Sequence, residues 1–270
     1  MTVACLPMYD LPELREATDA WWSGLAAAFE AEGLTAVPGR LTRETGGGDP
    51  CHWRDPDLLL GQTCGYPLTH GLDPSLQLVA TPCYGATGCD GPRYRSVFIV
   101  RHDDPAESLA DLAGRRVAVN APDSQSGCNA LRAAVAPLAG GRPFFSEAVA
   151  SGGHLASLTA VAEGSADLAS IDCVTYALLT RHRADLGEAV RVLALSEAAP
   201  ALPYVTAAGR PESEVAALQR GLARACAEPS LASVRAALLI DGVAVLPRPA
   251  YDRIDEMERS ACELGYPELR

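Results

Sequence analysis

Two short segments concentrate side chains able to hold a negative charge. The first, Asn120-Ala121-Pro122-Asp123-Ser124-Gln125-Ser126-Gly127, sets two hydroxyls and a glycine within four residues. The second, Ser151-Gly152-Gly153-His154, delivers an imidazole through paired glycines, which let a ligand approach the backbone closely. Each lies between an apolar run and an amphipathic one, so each reads as a strand feeding the first turn of a helix. Amides of such a turn, with serine hydroxyls beside them, cradle a small anion without any cationic side chain. Serine also caps helices, and a first-turn histidine is also a common surface residue, so both readings stand at this point. Asp172 ends the apolar run Asp167–Asp172 and reads either as an acceptor at the same edge or as the N-cap of the next helix.

A matching element is Gln62-Thr63-Cys64-Gly65-Tyr66-Pro67, again a strand running into a glycine and a short helix. Thr63 and Cys64 are placed there to donate to a ligand; the alternative for Cys64 is a small buried residue. Tyr9 and Asp10 follow the first strand at the same rim, Asp10 as a partner for a ligand amino group. Tyr94 stands where the chain leaves this region and is placed to close over a ligand. Ser124, His154 and Asp172 also supply the residue types of a hydrolytic triad, but the G-x-S-x-G elbow is missing.

Composition removes several chemistries. All 22 basic residues are arginine, so Schiff bases, pyridoxal phosphate attachment and the P-loop lysine are excluded, and no cofactor is expected. The nine cysteines form no CxxC pair; Cys51-His52, His70, Cys83 and Cys89 match no familiar metal spacing, and no metal site is expected. The scattered cysteines suggest a reducing compartment. A net charge of -12 offers no basic face for nucleic acid, and no run of about 18 apolar residues is present to insert into a membrane. As written, the start lacks the features of a signal peptide, which reads as cytoplasmic; removal of a leader would make the protein extracytoplasmic.

The elements that must position these residues alternate between short strands and amphipathic helices, the pattern of a mostly parallel α/β sheet. Strands are expected at Thr2–Pro7, Asp57–Gln62, Leu76–Thr81, Tyr94–Arg101, Arg116–Asn120, Phe144–Val149, Asp167–Asp172, Val190–Ser196 and Pro203–Ala207. Helices are expected at Pro12–Glu32, Gly127–Leu138, His154–Glu163 and Cys173–Arg181, and the tail from Pro211 to Tyr266 reads as largely helical. Of Trp21-Trp22, one indole is expected in the core and the other half-exposed. The expected division is a discontinuous first lobe of residues 1–95 plus 200–270 around a second lobe of 96–199, with crossings near Tyr94–Val100 and Leu195–Pro203.

Ser108–Val119, followed by Asp123-Ser124-Gln125-Ser126-Gly127 and Ser151-Gly152-Gly153-His154, closely resembles the phosphonate/phosphite/phosphate-type substrate-binding proteins of ABC transporters. Tyr94-Arg95-Ser96 and Ala166–Asp172 fit the same pattern, and the likeness covers about residues 1–240. The resemblance implies the type II periplasmic-binding-protein fold, two lobes joined by two crossing strands. It implies a small oxyanion, phosphonate- or phosphate-like, bound between the lobes by Tyr94, Ser124, Gln125, Ser126, His154 and Asp172. An ABC permease is the implied partner; a cytoplasmic sensor is a second use of the same binding. A cytoplasmic lyase or hydrolase on this fold is the alternative function. This chain has Ser-Gln-Ser-Gly where the family often has Ser-Thr-Ser-Gly, and its Gln62–Pro67 segment differs from the typical component.

Overall fold

The computed structural model describes residues 2–43, 53–72 and 74–270. Its backbone divides into two compact units. The first comprises Met1–Gly85, Asp90–Pro92 and Pro200–Ala250; the second comprises Ala86–Cys89, Arg93–Ala199 and Tyr251–Arg270. In chain order, the first unit supplies β1 (Val3–Cys5), α1 (Arg15–Ala31), β2 (Leu58–Gln62), α2 (Gly65–His70) and β3 (Leu76–Tyr84). The second follows with β4 (Arg93–Tyr94), β5 (Ser96–Arg101), β6 (Arg116–Val119), α3 (Ala130–Ala139), β7 (Glu147–Ala150) and α4 (His154–Ala162). It continues with β8 (Leu168–Asp172), α5 (Cys173–His182), α6 (Ala184–Ala189) and β9 (Val190–Leu195). After β10 (Ala199–Pro200), the first unit is completed by β11 (Tyr204–Ala207), α7 (Glu212–Ala227), α8 (Ala232–Ala237) and β12 (Ile240–Ala244), and α9 (Asp252–Glu263) ends the chain in the second.

The sheet of the first unit runs β1-β2-β11-β3-β12, with β1 and β2 parallel and both β11 and β12 antiparallel to β3. Every residue of β2 is buried, as a strand needs when apolar elements cover both its faces. On α1, Thr18, Trp21, Trp22, Leu25, Ala28 and Phe29 are buried, a stripe with helical spacing. Both indoles are only 1% exposed, so neither is the half-exposed residue expected. Each fully buried large side chain of this stripe contributes about 1.5–3 kcal/mol relative to exposure.

In the second unit the order is β7-β6-β8-β5-β9. β6 is parallel to β7 and β8, whereas β5 is antiparallel to β8 and β9. Most strands of each sheet share one sense, as expected: β5 alone is reversed in the second unit, and β11 and β12 are reversed in the first. The core of this unit joins Phe98, Val117, Leu131, Val135, Phe144 and Leu168 to Ala261 and Tyr266.

Those last two residues correct the expected division, because residues 251–270 belong to the second unit and not to the first. The attachment is polar as well as apolar. Arg132 of α3 reaches Glu258 of α9 at 2.9 Å and donates to Pro267 O at 2.7 Å. Phe144 and Phe145 amides both donate to Arg270 O. The tail, expected to be largely helical, also contains β12. Asp241 and Gly242 depress strand propensity, so the strand exists through its pairing with β3 rather than through its own residues.

Candidate anion-binding site

In the second unit, the carboxyl ends of β6, β7 and β8 and the start of the antiparallel β5 fall at one edge of the sheet, since Ser96 pairs with Asp172. Open α/β sheets present ligand-binding loops at that edge. The turn after β6 enters α3 through one turn of π-helix, Gln125–Asn129. Such turns are rare, and frequently mark functional sites. Ser124 caps it, its Oγ accepting from Gly127 N–H at 3.0 Å. The Ser126 amide belongs to this first turn, where helix geometry supplies no internal acceptor.

Ser126 is the hub of the edge. Its Oγ lies 2.9 Å from His154 Nε2, so the two segments singled out by sequence meet in a hydrogen bond. Its carbonyl accepts from two buried hydroxyls, Ser96 Oγ at 2.9 Å and Ser170 Oγ at 2.5 Å. Two donors on one carbonyl fix the peptide plane, and with it the direction of the hydroxyl toward His154. Gly127 is required by its neighbour: a Cβ there would stand 1.8 Å from Asn120 Oδ1. Asn120 Oδ1 is buried without a hydrogen-bond partner.

His154 opens α4 after Gly152 and Gly153. Its residue surface is half-buried, yet Nδ1 is fully enclosed and has no hydrogen-bond partner. Burial pushes the imidazole down to about 4, so the ring is neutral at neutral pH. Two buried polar atoms without partners among the described residues, Nδ1 of His154 and Oδ1 of Asn120, thus belong to the residues of this one edge. Native structures rarely leave such atoms unsatisfied unless something else completes them.

The remaining candidates fare differently. Asp172 is 1% exposed, and its Oδ1 accepts from Val174 and Thr175 amides at 2.8 and 2.9 Å. The N-cap reading of this residue is therefore realised, at the same edge as Ser126. Tyr94 is 2% exposed and lies two positions before Ser96. Gln125 is buried. Its carboxamide turns inward, accepting from Asn129 Nδ2 at 2.6 Å and facing Met257 Sδ at 3.4 Å. Its side chain thus helps seat α9.

The first unit has its own edge, where β1 and β2 end and β11 begins. Tyr9 packs edge-on against Tyr84, with ring centroids 5.1 Å apart. Trp21 Nε1 donates to Tyr204 Oη at 3.3 Å, and Gln62 Nε2 donates to Tyr84 Oη at 2.9 Å. These residues line a pocket of about 310 Å³ including its open mouth. Thr63 is fully buried; its amide donates to Pro203 O at 3.2 Å and its hydroxyl to Cys64 O at 3.3 Å. Cys64 is half-buried at the N-cap of α2. Asp10 is not open to a ligand amine, because Arg43 holds both its oxygens, at 2.5 and 3.1 Å, and also reaches Asp19 at 2.7 Å.

Among the described residues no group of three or more His, Cys, Asp or Glu side chains is arranged to hold a metal, and no helix is long and apolar enough to cross a membrane. Cys51 and His52, part of the loose cluster weighed from the sequence, lie outside the described residues.

Residues 57–246 match the family described as the periplasmic phosphonate substrate-binding protein of ABC transporters. The chain belongs to this family. Its members are substrate-binding proteins rather than enzymes, with a small molecule as ligand and a permease as partner. A comparison with curated proteins returns no match. Among solved structures, the binding component of an ABC phosphonate transporter from Pseudomonas aeruginosa superposes with a TM-score of 0.77 at 15% identity, covering 97% of this chain and 87% of that one. PhnD1 from Prochlorococcus marinus, solved with methylphosphonate, gives 0.71 at 13% identity, with coverage of 97% and 98%. A Xanthomonas citri protein solved with chloride gives 0.71 at 15%, again covering 97% and 98%. Identities this low show a shared fold, which is the type II periplasmic-binding-protein fold.

The serines that organise this phosphonate-family edge were not singled out in the sequence. Ser96 opens an otherwise apolar strand and Ser170 sits inside another, Leu-Ala-Ser-Ile-Asp. A hydroxyl in a fully buried strand needs a partner, and that was the available signal.

Proposed function

We propose that this protein binds a phosphonate- or phosphate-like oxyanion, with Ser124, Ser126 and His154 holding the head group. The reading rests on one observation: Ser126 and His154 meet at 2.9 Å while His154 Nδ1 stays enclosed without a partner. The donors are already oriented, so little ordering cost is incurred on binding. Tyr94 and Asp172 belong to the same group of contacts, and the buried Asp172 carboxylate favours a ligand that keeps a proton over one that is fully ionised. Phosphate and phosphonates hold such a proton near neutral pH; sulfate does not. Tyr9, Thr63 and Cys64 are the proposed contacts for the organic part of the ligand. The periplasmic description of the family supports work outside the cytoplasm, delivering ligand to an ABC permease.

Titration calorimetry with methylphosphonate, inorganic phosphate and sulfate tests the proposal. Binding of the first two, lost in Ser126→Ala and His154→Ala, is the expected result. Sulfate binding as strong as phosphate would remove the preference, and unchanged binding in both variants would remove the site.

A further inference from the structure

Away from the serine hub, the second unit brings two thiols into contact. Cys89 Sγ and Cys173 Sγ lie 3.5 Å apart although the residues are separated by 84 positions. Cys173 is the first residue of α5 and is 1% exposed, with its amide donating to Arg95 O at 3.1 Å. Cys89 is half-buried, and its amide donates to Ala86 O at 2.9 Å, closing the 86–89 stretch into a turn. Gly88 has φ +104°, and a Cβ on it would stand 3.1 Å from Cys173 Cβ and 3.3 Å from Cys173 Sγ. The turn is thus seated on the first residue of α5 as closely as a side-chain-free backbone permits.

We propose that Cys89 and Cys173 are a disulfide-forming pair that, on oxidation, fastens the 86–89 turn to the head of α5 beside Asp172. The sulfurs are 3.5 Å apart and need to approach by about 1.5 Å to reach bonding distance. The Cys173 thiol is pushed up, first by its hydrogen bond with Cys89 and then by burial, so it stays protonated. The half-exposed Cys89 is therefore the first to react with an external disulfide, such as oxidised glutathione or an oxidoreductase. Its thiolate displaces one sulfur of that oxidant, forming a mixed disulfide and releasing one thiol. Cys173 then loses its proton to solvent and attacks the Cys89 sulfur, releasing the second thiol. The pair gives up two electrons and two protons, and the oxidant's S–S bond is reduced. The family's periplasmic setting is one in which such exchange proceeds.

The test uses the full chain equilibrated with oxidised glutathione, alkylated without reduction, digested and mapped by mass spectrometry. A linked peptide pair containing Cys89 and Cys173 is expected, two hydrogens lighter than the sum of its reduced parts. Oxidation should also raise Tm by on the order of 10 °C, because the bond closes a long loop. Dithiothreitol should reverse the rise while Cys89→Ser abolishes it. Alkylation of both thiols after oxidation, or linkage of Cys89 to a different cysteine, would overturn the assignment. A Tm rise that survives in Cys89→Ser would also overturn it. The mapping needs no ligand and no variant, so its outcome is independent of what the serine edge binds and of whether Cys89→Ser folds.

Discussion

The two units end their sheets in edges of opposite chemistry. The second unit offers hydroxyls, amides and one neutral imidazole, organised around the Ser126 carbonyl, which takes hydrogen bonds from Ser96 and Ser170. The first offers rings, with Tyr9, Tyr84, Tyr204 and Trp21 lining one pocket. Its nearby charges are already spent on one another, Arg43 being fastened between Asp10 and Asp19. A donor-rich edge without cations suits a charged head group, because preorganised dipoles stabilise it, while its one carboxylate, Asp172, is already capped by the Val174 and Thr175 amides. A ring-lined pocket with paired-off ions suits uncharged surface. On the proposed reading, an acidic, lysine-free chain takes its oxyanion with hydroxyls and amides instead of cations, and the second unit supplies them.

The largest way to break this contrast is at Gly127. Gly127→Val places a branched side chain where even a Cβ would be 1.8 Å from Asn120 Oδ1, so the turn carrying Ser124 and Ser126 must move. Overpacking of this kind costs about 1–3 kcal/mol of stability. Methylphosphonate binding is expected to fall below detection in calorimetry while circular dichroism still reports a folded chain.

Next comes Ser126→Ala. Hydrogen bonds to charged groups contribute about 1.5–3 kcal/mol, so affinity should fall about 10- to 150-fold. Ser96→Ala removes one of the two hydroxyls holding the Ser126 carbonyl and should weaken binding less, roughly severalfold. An equal or larger loss in Ser96→Ala would mean that the strand serine, and not Ser126, makes the decisive contact.

The pH dependence sharpens the same edge. His154 is pushed down to about 4 by burial, below its ordinary 6.5. Between those values the unfolded chain binds a proton that the folded one does not, so this group's contribution to stability is full above about pH 6.5 and is lost as pH falls toward 4. A bound oxyanion favours the imidazolium, raises the ring's pKa and brings a proton with it. Thermal melts should therefore show a fall in Tm from pH 6.5 to 4 that is smaller in His154→Gln and smaller with methylphosphonate present. Binding enthalpies at pH 6 should depend on the buffer's ionisation heat; no such dependence would mean that the ring does not face the anion.

Much of this architecture was legible from residue pattern because local rules agreed with the fold. Leu-Leu-Leu after Asp57 reads as a buried strand and is one, and glycine, serine and histidine after apolar runs read as ligand-facing turns and meet in the structure. The rest is tertiary. Gln125 sits between two serines in sequence, but helical rotation turns it inward toward Met257. The sequence groups α9 with the first unit whereas it packs in the second, because its apolar face, Ile254, Met257 and Ala261, specifies burial without specifying against what. Ser170 was invisible as an organiser because its partner, the Ser126 carbonyl, is 44 residues away.

The smallest expected effect probes the other edge. Tyr84→Phe deletes the hydroxyl that accepts from Gln62 Nε2 at 2.9 Å and keeps the ring that meets Tyr9. The loss should be about 0.5–1.5 kcal/mol of stability, since the hydrogen bond from Gln62 goes while the packing stays. Inorganic phosphate, which is all head group, should bind Tyr84→Phe as it binds the parent. If phosphate affinity fell as far in Tyr84→Phe as in Ser126→Ala, the division of chemistry between the two edges would fail, because a ring-lined pocket would then be contributing to charge recognition.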